Sequence, residues 1–332
     1  MTGYRDQENE LSSRLEAAEA SGCCLWAKDA ADRRRLARFC ERGRLVRVLN
    51  GLFASSSTWD TLDPASKTRR IVRSLSDKYE DWIFSHVTAA AMYGLSVGYS
   101  YLDKVHVVAT SGSRKNAMVV RHRSGRAHRM FRGVRLTTPE DTVLDCAAMM
   151  PFPDALAVAD SAVSSRLTCE RNLRNAAVHR WGYRGIRNGR RVVACMDGRA
   201  ESGGESIVRG ILIELGYLIK DIQAPVTSID AARGPLRLDI LLQADDGSLV
   251  DLEVDGGREV REPRDERWLS AACADARAAA RGGDHCPRLQ GGARDGCPGQ
   301  GSRVVKGSPV RLRGLSPRLG TQALQTSHIY RL

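Results

Sequence analysis

With 332 residues, 42% of them hydrophobic, the chain is long enough for two domains and too apolar to be disordered throughout. Its net charge of +12 suits a polyanionic partner, either nucleic acid or an anionic membrane surface. No apolar run approaches the roughly 18 residues of a membrane span. The charged start MTGYRDQENELSSRLEAAEASG also lacks the pattern of a secretory leader, so a cytoplasmic protein with no membrane partner is expected.

The nine cysteines are odd in number, scattered, and contain no C-x-x-C pair. They read as reduced thiols rather than as a structural zinc site.

Residues 1–60 read as a helical unit followed by a hairpin. In DAADRRRLARFCERG, Ala31, Leu36, Phe39 and Cys40 fall near helical spacing, and Gly43 stops the helix. RLVRVLNGLFA then supplies Leu45, Val46, Val48 and Leu49 ahead of an Asn50-Gly51 turn. A helix followed by a basic hairpin is the outline of a winged helix-turn-helix. Arg33, Arg34, Arg35, Arg38 and Arg42 share the candidate recognition helix, and Arg44 and Arg47 lie on the candidate wing. Arginines in that pattern supply phosphate contacts and guanine contacts, so DNA binding that weakens with salt is expected.

Residues 61–181 form an α/β region. PASKTRRIVRSLSDKYED is a helix opened by proline, and IFSHVTAAAMYGLSV is an alanine-rich helix ended by Gly94. KVHVVAT and AMVVRHR are strands, and GVRLT is a third, short one. In TTPEDTVLD, Thr138 is an N-cap and Pro139 takes the first helical position, with Glu140 and Asp141 in the first turn. PDALAVADSAVSSR is a further helix. His86 and His106 sit beside apolar runs and read as structural.

The order of these segments resembles the AbiEi-type antitoxin proteins over residues 25–175, carried by the basic helix and wing, FSHVTAAAMYGL, VHVVAT, GVRLTTPEDTVLDCA and ALAVADSAV. That resemblance implies a winged-helix transcriptional regulator of a bacterial toxin–antitoxin system, with DNA and a cognate toxin protein as partners.

Residues 182–203, rich in Gly and Arg, are expected to link the units, with room for one short helix. From Gly204 the pattern changes. ESIVRGILIELGY is an amphipathic helix with a stripe of Ile207, Ile211, Leu212 and Leu215, ended by Gly216. IQAPVTSI is a strand. PLRLDILLQ alternates Leu236, Leu238, Ile240 and Leu242 against Arg237, Asp239 and Leu241. SLVDLEVDGG alternates Val250, Leu252 and Val254 against Asp251, Glu253 and Asp255.

The register of this hairpin follows from its turn. A three-residue loop of Asp245, Asp246 and Gly247 pairs Ala244 with Ser248 and sets Asp239 opposite Glu253. A two-residue turn would instead pair Asp239 with Val254 and put Glu253 on the other face. Facing carboxylates repel, and a divalent cation removes that penalty.

This helix–strand–strand–strand order, with Glu205, Asp239 and EVDG, resembles the restriction-endonuclease superfamily and its very-short-patch-repair-like branch over residues 202–258. The resemblance implies an α/β domain with a mixed sheet. It implies Mg²⁺ or Mn²⁺ held by Asp239 and Glu253, with Asp255 and Glu205 completing a catalytic set for phosphodiester hydrolysis. Gln223 matches a glutamine common in the strand between. The chain departs from that pattern at Asp255, where many members carry lysine, and in GREVREP, where His or Lys-Tyr is usual. The alternative is a non-catalytic regulator that keeps the nuclease fold as a scaffold.

The expected fold class is therefore α+β, with a winged helix and an α/β middle ahead of an endonuclease-like domain over residues 204–270. Residues 271–332 are Ala, Arg, Gly and Pro without sustained periodicity, a composition that builds no core. Composition changes abruptly between Arg258 and Ala272, which reads as a shift of reading frame. The other frames of the gene would then encode an amphipathic helix and an apolar strand, and finding neither on translation would leave a genuine basic tail.

Overall fold

The computed structural model describes residues 2–108, 118–122, 127–226, 236–244 and 246–254, and within these the side chains of residues 2–7, Val226 and Leu236 are excluded. The tail and Asp255 lie outside the described residues. The fold is α+β. Two compact units, Met1–Cys146 and Ala147–Leu332, divide the chain. No helix among the described residues is long and apolar enough to cross a membrane.

The front unit opens with α1 (Thr2–Ala20), β1 (Leu25–Trp26), α2 (Ala30–Glu41), β2 (Leu45–Leu49) and β3 (Leu52–Ser55). Asp29 caps α2 by accepting from the Asp32 amide at 2.8 Å. Leu36 and Phe39 are the buried apolar residues of α2, and they join Leu11, Leu25, Leu45 and Phe53 in one core. The β2–β3 hairpin turns at Asn50 and Gly51, as its sequence requires, with Gly51 at φ +82 and Leu49 opposite Leu52. Strand β1 pairs antiparallel with β3, so a strand, rather than a tight turn, separates α1 from α2.

A buried carboxylate ties these pieces together. Asp32 accepts from Arg14 at 2.8 and 3.1 Å, from Arg35 at 2.9 Å and from the Lys28 amide at 2.9 Å. Burial alone would raise its pKa, but these donors outweigh burial and hold the carboxyl down to about 2.

The helices α3 (Ser56–Thr61) and α4 (Pro64–Lys78) lead to β4 (Ile83–Phe84), α5 (His86–Tyr93), β5 (Val105–Val108), β6 (Val119–His122), β7 (His128–Phe131), β8 (Val134–Thr137) and α6 (Pro139–Met149). The five strands form a mixed sheet in the order β6-β5-β4-β8-β7, with β5–β6 and β4–β8 parallel. Val72 and Leu75 of α4 and Ala89 and Met92 of α5 pack with Phe84, Val105, Val107, Val134 and Leu136 of the sheet. Gly94 ends α5 at φ +79, and Thr138 caps α6 through the Asp141 amide at 3.2 Å. Strand β7 went unrecognised in the sequence because it is a half-exposed edge strand without an apolar alternation, and Met130 is 60% exposed.

The back unit carries α7 (Phe152–Ser164), α8 (Glu170–His179), α9 (Ile186–Cys195), α10 (Gly203–Glu214), β9 (Leu218–Val226), β10 (Leu236–Gln243) and β11 (Leu249–Leu252). The stretch read as a linker contains the one short helix that its sequence left room for. This helix, α9, buries Val192 and Val193 and packs against α7 and α8. The described strands of this unit are antiparallel throughout, in the order β11-β10-β9. Residues 255–270 of the expected mixed-sheet domain lie outside the described residues.

Helix α10 packs on both α7 and the sheet, and this changes the stripe read from its sequence. Leu212 is buried, whereas Ile207, Ile211 and Leu215 are half-buried. The buried face also holds Ser206, Arg209 and Gly210. A Cβ on Gly210 would lie 2.6 Å from Pro153 Cα, so only glycine permits the approach of α10 to α7. Arg209 donates to Asp160 at 2.6 Å and to the Cys195 carbonyl at 2.7 Å, and the Asp197 amide donates to Asp160 at 2.8 Å. Burial pushes the Asp160 carboxyl above its usual range, and the Arg209 charge opposes that shift.

Truncating one member of such a pair leaves an uncompensated buried charge. Asp160→Ala should therefore lose about 3–5 kcal/mol of stability in urea unfolding. Pairing Asp160→Leu with Arg209→Met should restore most of that loss. A single truncation costing less than about 1 kcal/mol would show that the pair does not hold α10.

Candidate carboxylate site

The site is built by the β10–β11 hairpin. Ala244 N–H donates to the Ser248 carbonyl at 2.9 Å, Gly247 N–H donates to the Ala244 carbonyl at 2.9 Å, and Gly247 stands at φ +81. This closes the turn in the glycine-ended form and fixes the pairs Gln243–Leu249, Leu242–Val250, Leu241–Asp251 and Ile240–Leu252. One face then presents Ile240, Leu242, Val250, Leu252 and Val254 to a core shared with Ala200, Leu212 and Ile222. The other face carries Asp239, Leu241, Asp251 and Glu253. The observed pairs follow the register that the turn chemistry predicts; the ladder ends at Leu252, and Asp239 and Glu253 lie one step beyond its last pair.

Asp239 is held from both sides. The Val254 amide donates to its Oδ2 at 2.9 Å. On β9, the pairs Leu238–Ala224 and Ile240–Ile222 flank it, which sets Gln223 opposite. The Gln223 amide nitrogen lies 3.1 Å from Glu205 Oε2 and 3.4 Å from Asp239 Oδ1. Gln223 thus joins the carboxylate of α10 to that of β10. Its backbone sits at φ +50, in the left-handed region, within a strand. A non-glycine residue there costs on the order of 1–3 kcal/mol, a strain that gathers at functional sites. Glu205 is itself buried, takes the first turn of α10 behind the Ser202 cap, and accepts from the Glu201 amide at 3.0 Å.

Asp251 was seen in the sequence as part of the acidic face but not taken into the site. Neither of its buried carboxylate oxygens has a hydrogen-bond partner among the described residues. Its cross-strand neighbour is Leu241, which offers no donor. Burial first, then the charges of Glu253 and Asp239, push its carboxyl up to about 7. Strand alternation was the signal that could have found it, since it shares a face with Glu253. Asp255, the fourth expected acid, lies outside the described residues.

The donor set is one of hard oxygens: Asp239, Asp251 and Glu253 on one sheet face with Glu205 at its rim. Such oxygens fit Mg²⁺ or Mn²⁺, and the unanswered oxygens of Asp251 are what a cation would answer. Among the described residues no three of these carboxylates bring oxygens within 4.8 Å of one another, so Asp239 and Glu253 are the pair that would hold an ion.

In the front unit, Arg33, Arg34 and Arg38 are exposed on α2, Arg42 caps its C-terminus, and Arg44 and Arg47 are exposed at and within β2. Arg35 is half-buried and tied to Glu10 and Asp32, both at 2.9 Å. Arg44 is paired with Glu8 at 2.6 Å. Arg35 thus ties α2 to α1, and Arg44, just ahead of β2, pairs with α1 at the surface, uses that charge counting does not reveal.

The Asp251 carboxyl gives this face a definite pH dependence. With a folded pKa of about 7 against an ordinary 3.8, ionising Asp251 is penalised in the native state. The penalty is absent below pH 3.8, grows through the window to about pH 7, and is complete above it. Asp251→Asn should accordingly stabilise the protein by about 1 kcal/mol at pH 8, allowing for solvent screening, and leave it unchanged at pH 4. Thermal melts at the two pH values check this. Equal effects at both would show that the carboxyl titrates normally.

No family model matches the chain. Two curated relatives, uncharacterized proteins from two Mycobacterium tuberculosis strains, are each 33% identical to it over 144 residues. The match covers 42% of this chain and 51% of each relative, so the chain spans about half the length of the curated relatives it matches.

Proposed function

We propose that the chain is a DNA-binding protein whose back unit is a metal-dependent, endonuclease-like phosphodiester hydrolase. The observation that supports this reading is the hairpin register, which puts Asp239, Asp251 and Glu253 on one face, where like charges gain nothing from each other. A bound Mg²⁺ or Mn²⁺ would supply a water of lowered pKa and neutralise charge developing on the phosphate. The protein's own part is to hold the donors. Gln223 ties Glu205 to Asp239, the Val254 amide orients Asp239, and the buried Arg209 fixes the helix that carries Glu205. Asp255 belongs to the proposed catalytic set by its position in the alternation. The exposed arginines of α2 and β2 would contribute phosphate contacts in the manner of a winged helix.

A second reading rests on a specific observation. Asp239 Oδ2 is already satisfied by a backbone amide, and no lysine stands among the described residues of the acidic face. On that reading the protein is an AbiEi-type repressor with a toxin partner, and the acidic face is a scaffold.

Plasmid nicking separates the two. Purified full-length protein with Mg²⁺ or Mn²⁺ should break strands, and Asp239→Ala and Glu253→Gln should each lower the rate at least about 100-fold. Intact plasmid with protein that is folded and binds DNA would favour the repressor.

A further inference from the structure

Three imidazoles meet in the front unit, away from any apolar need for them. His86 opens α5, His106 lies in β5 and His122 ends β6. One ligand atom from each lies within 4.8 Å of those of the other two. His106 Nδ1 and His122 Nε2 are 2.9 Å apart, and the His86 ring stacks on that of His122 with centroids 3.6 Å apart.

The parallel register of β5 and β6 explains the meeting. His106 pairs with Val120 and His122 with Val108, so the two histidines sit two positions apart on one sheet face. The rest of β5 is Val105, Val107 and Val108, which makes His106 the departure in an apolar, wholly buried strand. His86 stands at φ +52, a left-handed conformation that a bulky side chain rarely takes. Its Nδ1 lies 3.0 Å from Ser85 Oγ and 3.9 Å from Asp145 Oδ2. Only the Ser85 hydroxyl is within hydrogen-bond reach, and an outer hydrogen-bond partner of that kind orients a ligating ring; the Asp145 carboxylate adds a nearby negative charge.

Packing alone gives no reason to gather three polar rings from distant segments at the cost of a strained residue. Metal ligation does. Imidazole is the commonest ligand of borderline divalent ions, and three from one site leave a fourth position open. Hard ions such as Mg²⁺ prefer oxygen and are not suited to it.

We infer that His86, His106 and His122 form a binding site for a zinc-class divalent transition ion, which ties the start of α5 to strands β5 and β6. This site is independent of the carboxylate face in residues, unit and class of ion.

The test uses the full-length protein, stripped with a chelator and then given Zn²⁺ or Co²⁺. Wild type and Glu253→Gln should each retain one equivalent of zinc after desalting at neutral pH, and Co²⁺ should give visible ligand-field absorption. His122→Asn, at a half-buried position, should lower zinc affinity at least about tenfold. If that variant does not fold, long-range proton–nitrogen NMR of the wild type replaces it. Of the seven histidines, the rings of His86, His106 and His122 should shift on zinc addition. Failure of the wild type to retain zinc would overturn the inference. So would retention unchanged in a folded His122→Asn, or ring shifts confined to other histidines.

Discussion

The back unit depends on one buried charge. Arg209 lies inside the contact between α10 and α7, and a guanidinium there is tolerable only because Asp160 and the Cys195 carbonyl answer it. Those partners come from the middle of α7 and the end of α9, so satisfying the charge fixes three helices at once. Gly210, one residue on, allows α10 and α7 to touch without a side chain between them. The first turn of α10 carries Glu205, and its place beside the sheet follows from where Arg209 is anchored.

The acidic face is a second consequence of local chemistry reaching outward. A glycine with positive φ closes the hairpin turn, the turn sets the register, and the register sets which carboxylates are neighbours. The result is not what stability alone would select. Asp239, Asp251 and Glu253 share one face, the oxygens of half-buried Asp251 have no hydrogen-bond partner among the described residues, and Gln223 is held in a strained conformation between two acids. Strain and unsatisfied charge gathered at one point set this face apart from an ordinary solvated hairpin surface.

The front unit shows how positive charge divides between structure and surface. Arg14 and Arg35 converge on Asp32, a carboxylate buried under α1, and Arg44 reaches Glu8 of the same helix. Arg33, Arg34 and Arg38 point outward from the same α2. Adjacent arginines in one run thus have opposite tasks, decided by which side of the helix faces α1. The same unit brings together His86, His106 and His122, residues 36 positions apart in the chain from first to last.

Much of this was legible in the sequence. The Asn50-Gly51 turn, the Gly94 and Gly216 helix stops, the Thr138 cap and the register of the Leu236–Leu252 hairpin are set by backbone chemistry within a few residues, and local chemistry suffices to read them. Other features needed the tertiary structure. Strand β7 carries no apolar pattern because it is an edge, and α9 reads as part of a linker because the glycines and arginines around it mask its apolar residues. The buried face of α10 is polar because its partner supplies Asp160. The histidine cluster arises from a parallel pairing of β5 and β6, which no local rule specifies. Sequence by itself determined the turns, the caps and the hairpin. Which charges are buried, and which distant side chains meet, was decided by packing, because those contacts join segments whose separation in the chain leaves no local signal.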